Sequence, residues 1–358
     1  MVGKRGIRRI TAAGVTLGVV AAVLVLGGSA MAAHKAKVKI AFVYQVRVPA
    51  VEIAGTGGQV AAKQLGFTLD TVGPTAYNVL QQQTMTQSEV SAGAQGVGEI
   101  LVNSSAWNRQ ESSLLGSGTK LVNYGVYTGP FLGAKTPIYV GPDDHAYGRA
   151  LSNVLIGALG PNRHGDVVIT WCVSGVQELE ERVAGVKAAL KQREPGVTLL
   201  GPYMQMDNAT QGVLDAQRIV LAHPNALAFV GLCSTAPGNF AQVKKQDHGS
   251  WLITGGELDP RNLAGIQAGL ISGVVDANLW LDGYISARLL YEQITNPSST
   301  PTTGWLDSTI ETVNKSNIAA VIKRQSSAAN QAKAYLPAVN KIFANLKANI
   351  KPLSASQQ

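Results

Sequence analysis

The chain has 358 residues, 46% hydrophobic, 6% aromatic and 15% charged. That length and apolar content suit two ordinary domains and exclude a disordered chain or a coiled coil. The formal net charge is +8, but Lys4, Arg5, Arg8 and Arg9 sit in an opening segment with no acid, and the 26 basic against 22 acidic residues beyond it leave +4, too mild and scattered to mark a nucleic-acid binder.

Residues 1–32 read as an export signal. A basic start precedes an apolar run from Ile10 to Leu26, and Ala30-Met31-Ala32 is a small-x-small cleavage site that starts the mature chain at Ala33. An uncleaved membrane anchor is the alternative, although the run is short for a span and contains Thr and Gly. Arg8-Arg9 leaves a twin-arginine route open beside the general secretory one. No cysteine follows the run for lipid attachment, and no second long apolar segment exists. The mature chain is therefore expected in the periplasm or outside the cell.

Residues 38–44 (VKIAFVY) read as a strand. The loop from Gln45 to Pro49 and a helix over 50–65 follow, the helix weakened by Gly55, Gly57 and Gly58. Strands are predicted at 67–72, 100–102 and 120–124, with helices over 78–95 and 107–115. A strand at 138–140 breaks at Gly141-Pro142. Asp143 and Asp144 then cap a helix whose Tyr147, Leu151, Val154, Leu155, Ala158 and Leu159 share one face. Gly160-Pro161 stops it. The alternation then restarts, with strands at 167–173, 197–203, 226–233, 251–255 and near 274–277. The intervening helices are placed over 177–191, 209–222, 236–247 and 260–270, the last opened by Asp259-Pro260 as N-cap and first residue. A helix over 281–294 and a Pro/Ser/Thr connection at 297–303 lead to an Ala/Lys/Asn-rich tail, 309–350, with one broken amphipathic helix, read as packing on the outside.

A strand apolar throughout, such as 167–173, must be covered on both faces, which marks a parallel α/β sheet. Two such runs mean two similar doubly wound lobes. Ligands of these sheets sit beyond the carboxyl ends of the strands, where Trp171, Cys172 and the loop leading to Arg182 fall. Catalytic chemistry is not expected: G-x-S-x-G, P-loop and H-E-x-x-H motifs are absent, and Asp143-Asp144 is explained as a helix cap. The five histidines and the two cysteines, Cys172 and Cys233, lack metal-ligand spacing, so neither metal nor cofactor is expected.

Several segments carry a resemblance. They are Tyr139-Val-Gly-Pro-Asp-Asp-His-Ala-Tyr-Gly-Arg149, Arg182-Val-Ala-Gly-Val-Lys-Ala-Ala-Leu190, Leu221-Ala-His-Pro-Asn-Ala-Leu-Ala-Phe229, Ile253-Thr-Gly-Gly-Glu257, Ala268-Gly-Leu-Ile271 and Val313-Asn-Lys-Ser-Asn-Ile318. In order and spacing, from about Val38 to Ile318, the chain resembles the type I periplasmic sugar-binding proteins of ABC importers, the ribose- and galactose-binding group. The resemblance implies two lobes hinged by three crossings, near 141–143, 277–279 and 304–306, with ligand trapped between them. Lobe 1 is then 38–141 plus 279–303, lobe 2 is 142–278 plus 304–318, and 319–358 is a C-terminal tail.

The resemblance also implies ligand-binding roles. Asn103, Arg182 and Glu257 stand where the family holds its ligand. Elsewhere the chain departs: Ala50 and Val51 replace paired stacking aromatics, Gly125-Val126 an Asp-Arg pair, Cys233 a cleft Asn, Ala277 a cleft Gln and Asp207 a second stacking aromatic. Trp107, Tyr124, Tyr127, Trp171 and Trp280 offer replacement apolar surface, and Arg47 a positive charge. The candidate ligand-binding set is Arg47, Asn103, Tyr124, Trp171, Arg182, Cys233, Glu257 and Asn278. Plainer readings stand beside these: Arg182 pairing with Glu178 or Glu181 on its own helix, Glu257 as a surface carboxylate, Asn103 as a turn residue, Trp171 as core. Cys172 and Cys233 end neighbouring strands in the implied order and are either bridged, which needs Cα atoms within about 7 Å, or two small buried thiols.

The expected function is an exported, monomeric solute-binding protein. It captures a small sugar-like or polyol ligand and delivers it to an ABC permease. The alternatives are a sensory subunit that signals to a membrane receptor, or a binder of an acidic or aromatic solute.

Overall fold

The computed structural model describes residues 37–356; the export signal expected over 1–32 lies outside them. The first run of elements is β1 (Lys39–Val43), α1 (Pro49–Leu65), β2 (Thr68–Val72), α2 (Val79–Ser91), β3 (Gly96–Glu99), α3 (Asn108–Gly116), β4 (Lys120–Tyr124) and β5 (Ile138–Gly141). The second is α4 (Asp144–Leu159), β6 (Gly165–Trp171), α5 (Gln177–Arg193), β7 (Val197–Met204), α6 (Gln211–Ala222), β8 (Ala228–Gly231), α7 (Ala236–Asp247), β9 (Leu252–Gly256), α8 (Pro260–Gln267) and β10 (Gly273–Asp276). The chain closes with α9 (Leu279–Thr295), β11 (Trp305–Asp307), β12 (Glu311–Asn314), α10 (Ile318–Gln325), α11 (Ala328–Ala344), α12 (Leu346–Asn349) and β13 (Ile350–Lys351).

The helix ends follow their local chemistry. Asp143 accepts from the Ala146 amide to cap α4 (2.8 Å), and Asp259 accepts from the Arg261 amide ahead of α8, each supplying an acceptor to an otherwise unpaired N–H. Gly66 closes α1 in the left-handed region at φ 79°.

Two sheets result, ordered β13-β11-β5-β4-β3-β1-β2 and β12-β10-β9-β8-β6-β7. All neighbours run parallel except β11–β13 and β10–β12. This is the two-lobed, doubly wound α/β architecture that the alternation implied. Helix α9 returns to lobe 1 and packs on α1, where the backbones touch. A Cβ on Gly283 would lie 1.8 Å from the Ala54 carbonyl oxygen, so Gly283→Ala is expected to push the two helices apart. The expected loss is about 1–3 kcal/mol in urea unfolding, and an unchanged midpoint would refute the contact.

Three differences from the sequence-based expectation have physical causes. The third strand is Gly96–Glu99, not 100–102. Its glycines are a packing device, since a Cβ on Gly98 would meet Phe42 at 2.6 Å, and Ile100 and Val102 instead line the end of the sheet. Residues 305–307 pair with β5 in the lobe 1 sheet, so the third crossing falls between β11 and β12 rather than at 304–306. The tail is more than an outer coat: α10 buries Ile318 and Val321 in the lobe 2 core, while α11 stacks Tyr335 on Trp280 of lobe 1 at 5.0 Å. The chain thus passes between the lobes a fourth time.

The crossings are laced together. The Gly141 carbonyl accepts from the Trp305 indole (2.8 Å) and the Ser308 amide. Asn278 donates to the carbonyls of Ser308 and Thr309.

Candidate functional site

The site grows from the α4–α5 contact. A Cβ on Gly185 would lie 2.2 Å from the His145 carbonyl oxygen, so the two backbones touch and Arg182 is carried against Asp144 and Tyr147. The Arg182 guanidinium lies 3.8 Å above the Tyr147 ring. Its Nε donates to Asp144 (3.0 Å) and Nη1 to Glu257 (3.5 Å), and Nη2 makes an ion pair with Glu178 (2.7 Å). One cation thus serves three buried carboxylates. Burial pushes the carboxyls of Asp144, Glu178 and Glu257 upward, and the Arg182 charge opposes that rise.

Glu257 is held more firmly than a surface acid. It follows Gly255-Gly256 and adopts φ 70°, a left-handed conformation that costs a non-glycine residue about 1–3 kcal/mol. Tyr147 Oη (3.0 Å) and the Ala277 amide (3.3 Å) donate to it, and Tyr147 also bonds the Val275 carbonyl. Asp207, in the loop after β7, accepts from the Thr235 amide (2.9 Å), the Thr235 hydroxyl (2.7 Å) and Ser234. Burial raises its pKa, and those three donors partly counter it.

Cys172 and Cys233 are bridged, with Cα atoms 6.0 Å apart. The bridge ties the carboxyl ends of the neighbouring strands β6 and β8. Opposite it, the Tyr77 hydroxyl of lobe 1 reaches to 3.7 Å from Cys172 Sγ.

These groups enclose a cavity of about 70 Å³ between the lobes. Lobe 1 offers an apolar wall, including Val48, Ala50, Val51 and Val126, with Gln45 and Tyr77 as its polar members. Lobe 2 offers Glu178, Arg182, Asp207 and Glu257 beside the disulfide. Gln45 is buried, and its Oε1 has no hydrogen-bond partner among the described residues.

Of the eight candidate residues from the sequence, Arg182, Cys233 and Glu257 line this cavity. Cys233 is committed to the bridge and offers only sulfur surface. Arg47 turns outward to Glu52 (2.7 Å). Asn103 is exposed at φ 56°, accepts from Ser105 and borders a groove with Leu80 and Arg109. It therefore does not gather with Arg182 and Glu257. Tyr124 is fully buried against Phe42 and does not line the cavity. Trp171 is partly buried against the core. Asn278 is a hinge residue.

Gln45, Tyr77, Glu178 and Asp207 are the lining groups that the candidate set lacks. Gln45 follows the first apolar strand and Asp207 follows β7, so strand-end position alone signals both. Tyr77 lies in a polar turn without periodicity, and the sequence carries no signal for it.

Comparison with known proteins places this geometry. A model of the periplasmic binding protein domain matches residues 40–298. An ABC transporter solute-binding protein from Burkholderia graminis C4D1M, in complex with D-arabinose, superposes with a TM-score of 0.72 at 22% identity, covering 79% of this chain and 97% of its own. One from Agrobacterium vitis, bound with α-D-tagatopyranose, gives 0.70 at 18%, covering 79% and 96%. A glucose-galactose binding protein from Geobacillus stearothermophilus gives 0.69 at 18%, covering 79% and 99%. At such identities the structural likeness speaks for the fold. No curated protein sequence matches the chain.

Proposed function

The chain belongs to the periplasmic binding protein domain family, and from that premise we propose that it captures a small sugar-like or polyol solute between its lobes and delivers it to the permease of an ABC importer. The cavity carries this reading. It lies at the carboxyl ends of both sheets, beside a hinge, and draws polar groups from each lobe. The sugars bound to the Burkholderia and Agrobacterium proteins support the solute class. The export signal expected over residues 1–32 agrees with capture outside the cytoplasm, and no described helix is long and apolar enough to cross a membrane.

At about 70 Å³ the cavity is roughly half the volume that admits benzene to an apolar core. A sugar-sized solute is therefore held with the lobes somewhat wider apart, an adjustment that a hinge supplies. An acidic solute fits poorly. It would face Glu178, Asp207 and Glu257, and the single guanidinium is already engaged by three carboxylates.

A thermal-shift screen of the mature chain against pentoses, hexoses, polyols, amino acids and aromatic acids tests the reading. A specific binder at about a hundred times its Kd stabilises the fold by about 2.7 kcal/mol, and a sugar or polyol is expected to be among the hits. Tyr77→Ala is expected to weaken that binder by about tenfold or more, through loss of a desolvated aromatic contact. Hits confined to amino acids or aromatic acids would overturn the solute class. A full shift retained in Tyr77→Ala would remove the cleft as the binding site.

A further inference from the structure

Hydrogen-bond accounting within the cleft says more about the solute. The strong donor of the lining is already used, because each nitrogen of Arg182 faces a carboxylate of its own lobe. Ser234 and Thr235 donate to Asp207. Beside the Gln45 amide nitrogen and the Tyr77 hydroxyl, the lining offers a ligand two acceptor groups. Gln45 Oε1 is buried in the lobe 1 wall without a hydrogen-bond partner among the described residues. Glu178 meets Arg182 through Oε1 alone, which leaves its second oxygen without a hydrogen bond among the described residues.

The charges point the same way. Glu178, Asp207 and Glu257 line the cavity against one Arg182, and lobe 1 places no charged side chain in that lining. Asp144 stands directly behind the guanidinium at 3.0 Å. Arg47, which would otherwise supply a cation from lobe 1, is paired with Glu52 in solvent. Across the cleft Tyr77 contributes an aromatic ring, a favourable neighbour for a desolvated cation. The surrounding wall is apolar, so a cation brought here is dehydrated and strengthens its contacts with the acids.

We propose that the cleft selects a solute bearing a positive charge, an amine-substituted sugar or polyol whose ammonium donates to Glu178 and Gln45. The inference rests on the solute-binding reading given above and adds the charge of the ligand to it. Burial already holds the lining acids above their ordinary pKa, a cost that an incoming cation relieves. A neutral sugar leaves that cost in place and finds Ala50 and Val51 where a ring would stack.

Titration calorimetry on the mature chain with matched probes tests it: D-glucosamine against D-glucose, D-galactosamine against D-galactose, D-glucuronate as the anion, and choline and putrescine as amines without a sugar body. An amino sugar is expected to bind about tenfold or more tightly than its neutral partner, with an affinity that falls as NaCl is raised. Glu178→Gln, which keeps an oxygen for Arg182, is expected to abolish that preference. Gln45→Leu provides a second variant away from the ion-pair cluster, and circular dichroism confirms that each is folded. A neutral sugar or glucuronate binding as tightly as the amine overturns the inference and leaves the sugar-binding reading standing. Choline or putrescine binding with no sugar bound supports the charge and removes the sugar body. No binding by any probe overturns both.

Discussion

Arg182→Ala is expected to destabilise the protein by about 3–5 kcal/mol, the cost of leaving buried charges without their partner. The Arg182 side chain is 4% exposed and pairs with Asp144, Glu178 and Glu257. Its removal also uncovers the Tyr147 ring on which it lies. The three carboxyls, already pushed up by burial, then rise further. A carboxyl whose folded pKa exceeds its unfolded value favours the fold when protonated, and that contribution is lost as pH rises through the folded pKa. The deficit of the variant should therefore be smallest near pH 5 and grow toward pH 8. Urea unfolding across that range measures it. A loss below about 1 kcal/mol, or one independent of pH, would show that Arg182 is not the keystone of the acid cluster.

The second large effect is expected from the disulfide. Cys172 and Cys233 are 61 residues apart, and opening a loop of that length costs about 4 kcal/mol in chain entropy. The double variant Cys172→Ser/Cys233→Ser should therefore unfold at markedly lower urea than the oxidised protein. Because the bridge fixes the cavity floor beneath Tyr77, the variant should also lose solute affinity under conditions where it remains folded. Equal urea midpoints for the two proteins would contradict a bridge that stabilises the fold.

The fold was readable because its signals are local and periodic. The apolar run of β6, the capping aspartates of α4 and α8 and the regular strand-helix alternation are set by neighbours in sequence. β3 escaped because its space is filled from elsewhere: Phe42 occupies what a side chain at Gly98 would take, so an apolar run next door was the stronger signal. β11 and β12 escaped because three- and four-residue strands carry too little pattern to register.

The site was readable in part, and for a different reason. Arg182 and Glu257 sit in segments whose spacing resembles a known family, and the structure brings both to the cavity. Asn103 and Arg47 lie in loops, and small changes of loop path turn their side chains to solvent. Tyr124 and Trp171 show the limit of residue type as a guide, since a large aromatic serves a core as readily as a ligand. Tyr77 reaches across the cleft to lobe 2, a contact that exists only once the lobes face each other.

Diffraction from crystals grown with the tightest probe tests most directly whether the solute is held between the lobes. The expected density lies in the cleft, touching Tyr77 from lobe 1 and Glu178 from lobe 2, with a ligand nitrogen within about 3.2 Å of a Glu178 oxygen or of Gln45 Oε1. Density on an outer face, with nothing bound between the two sheets, would contradict the account.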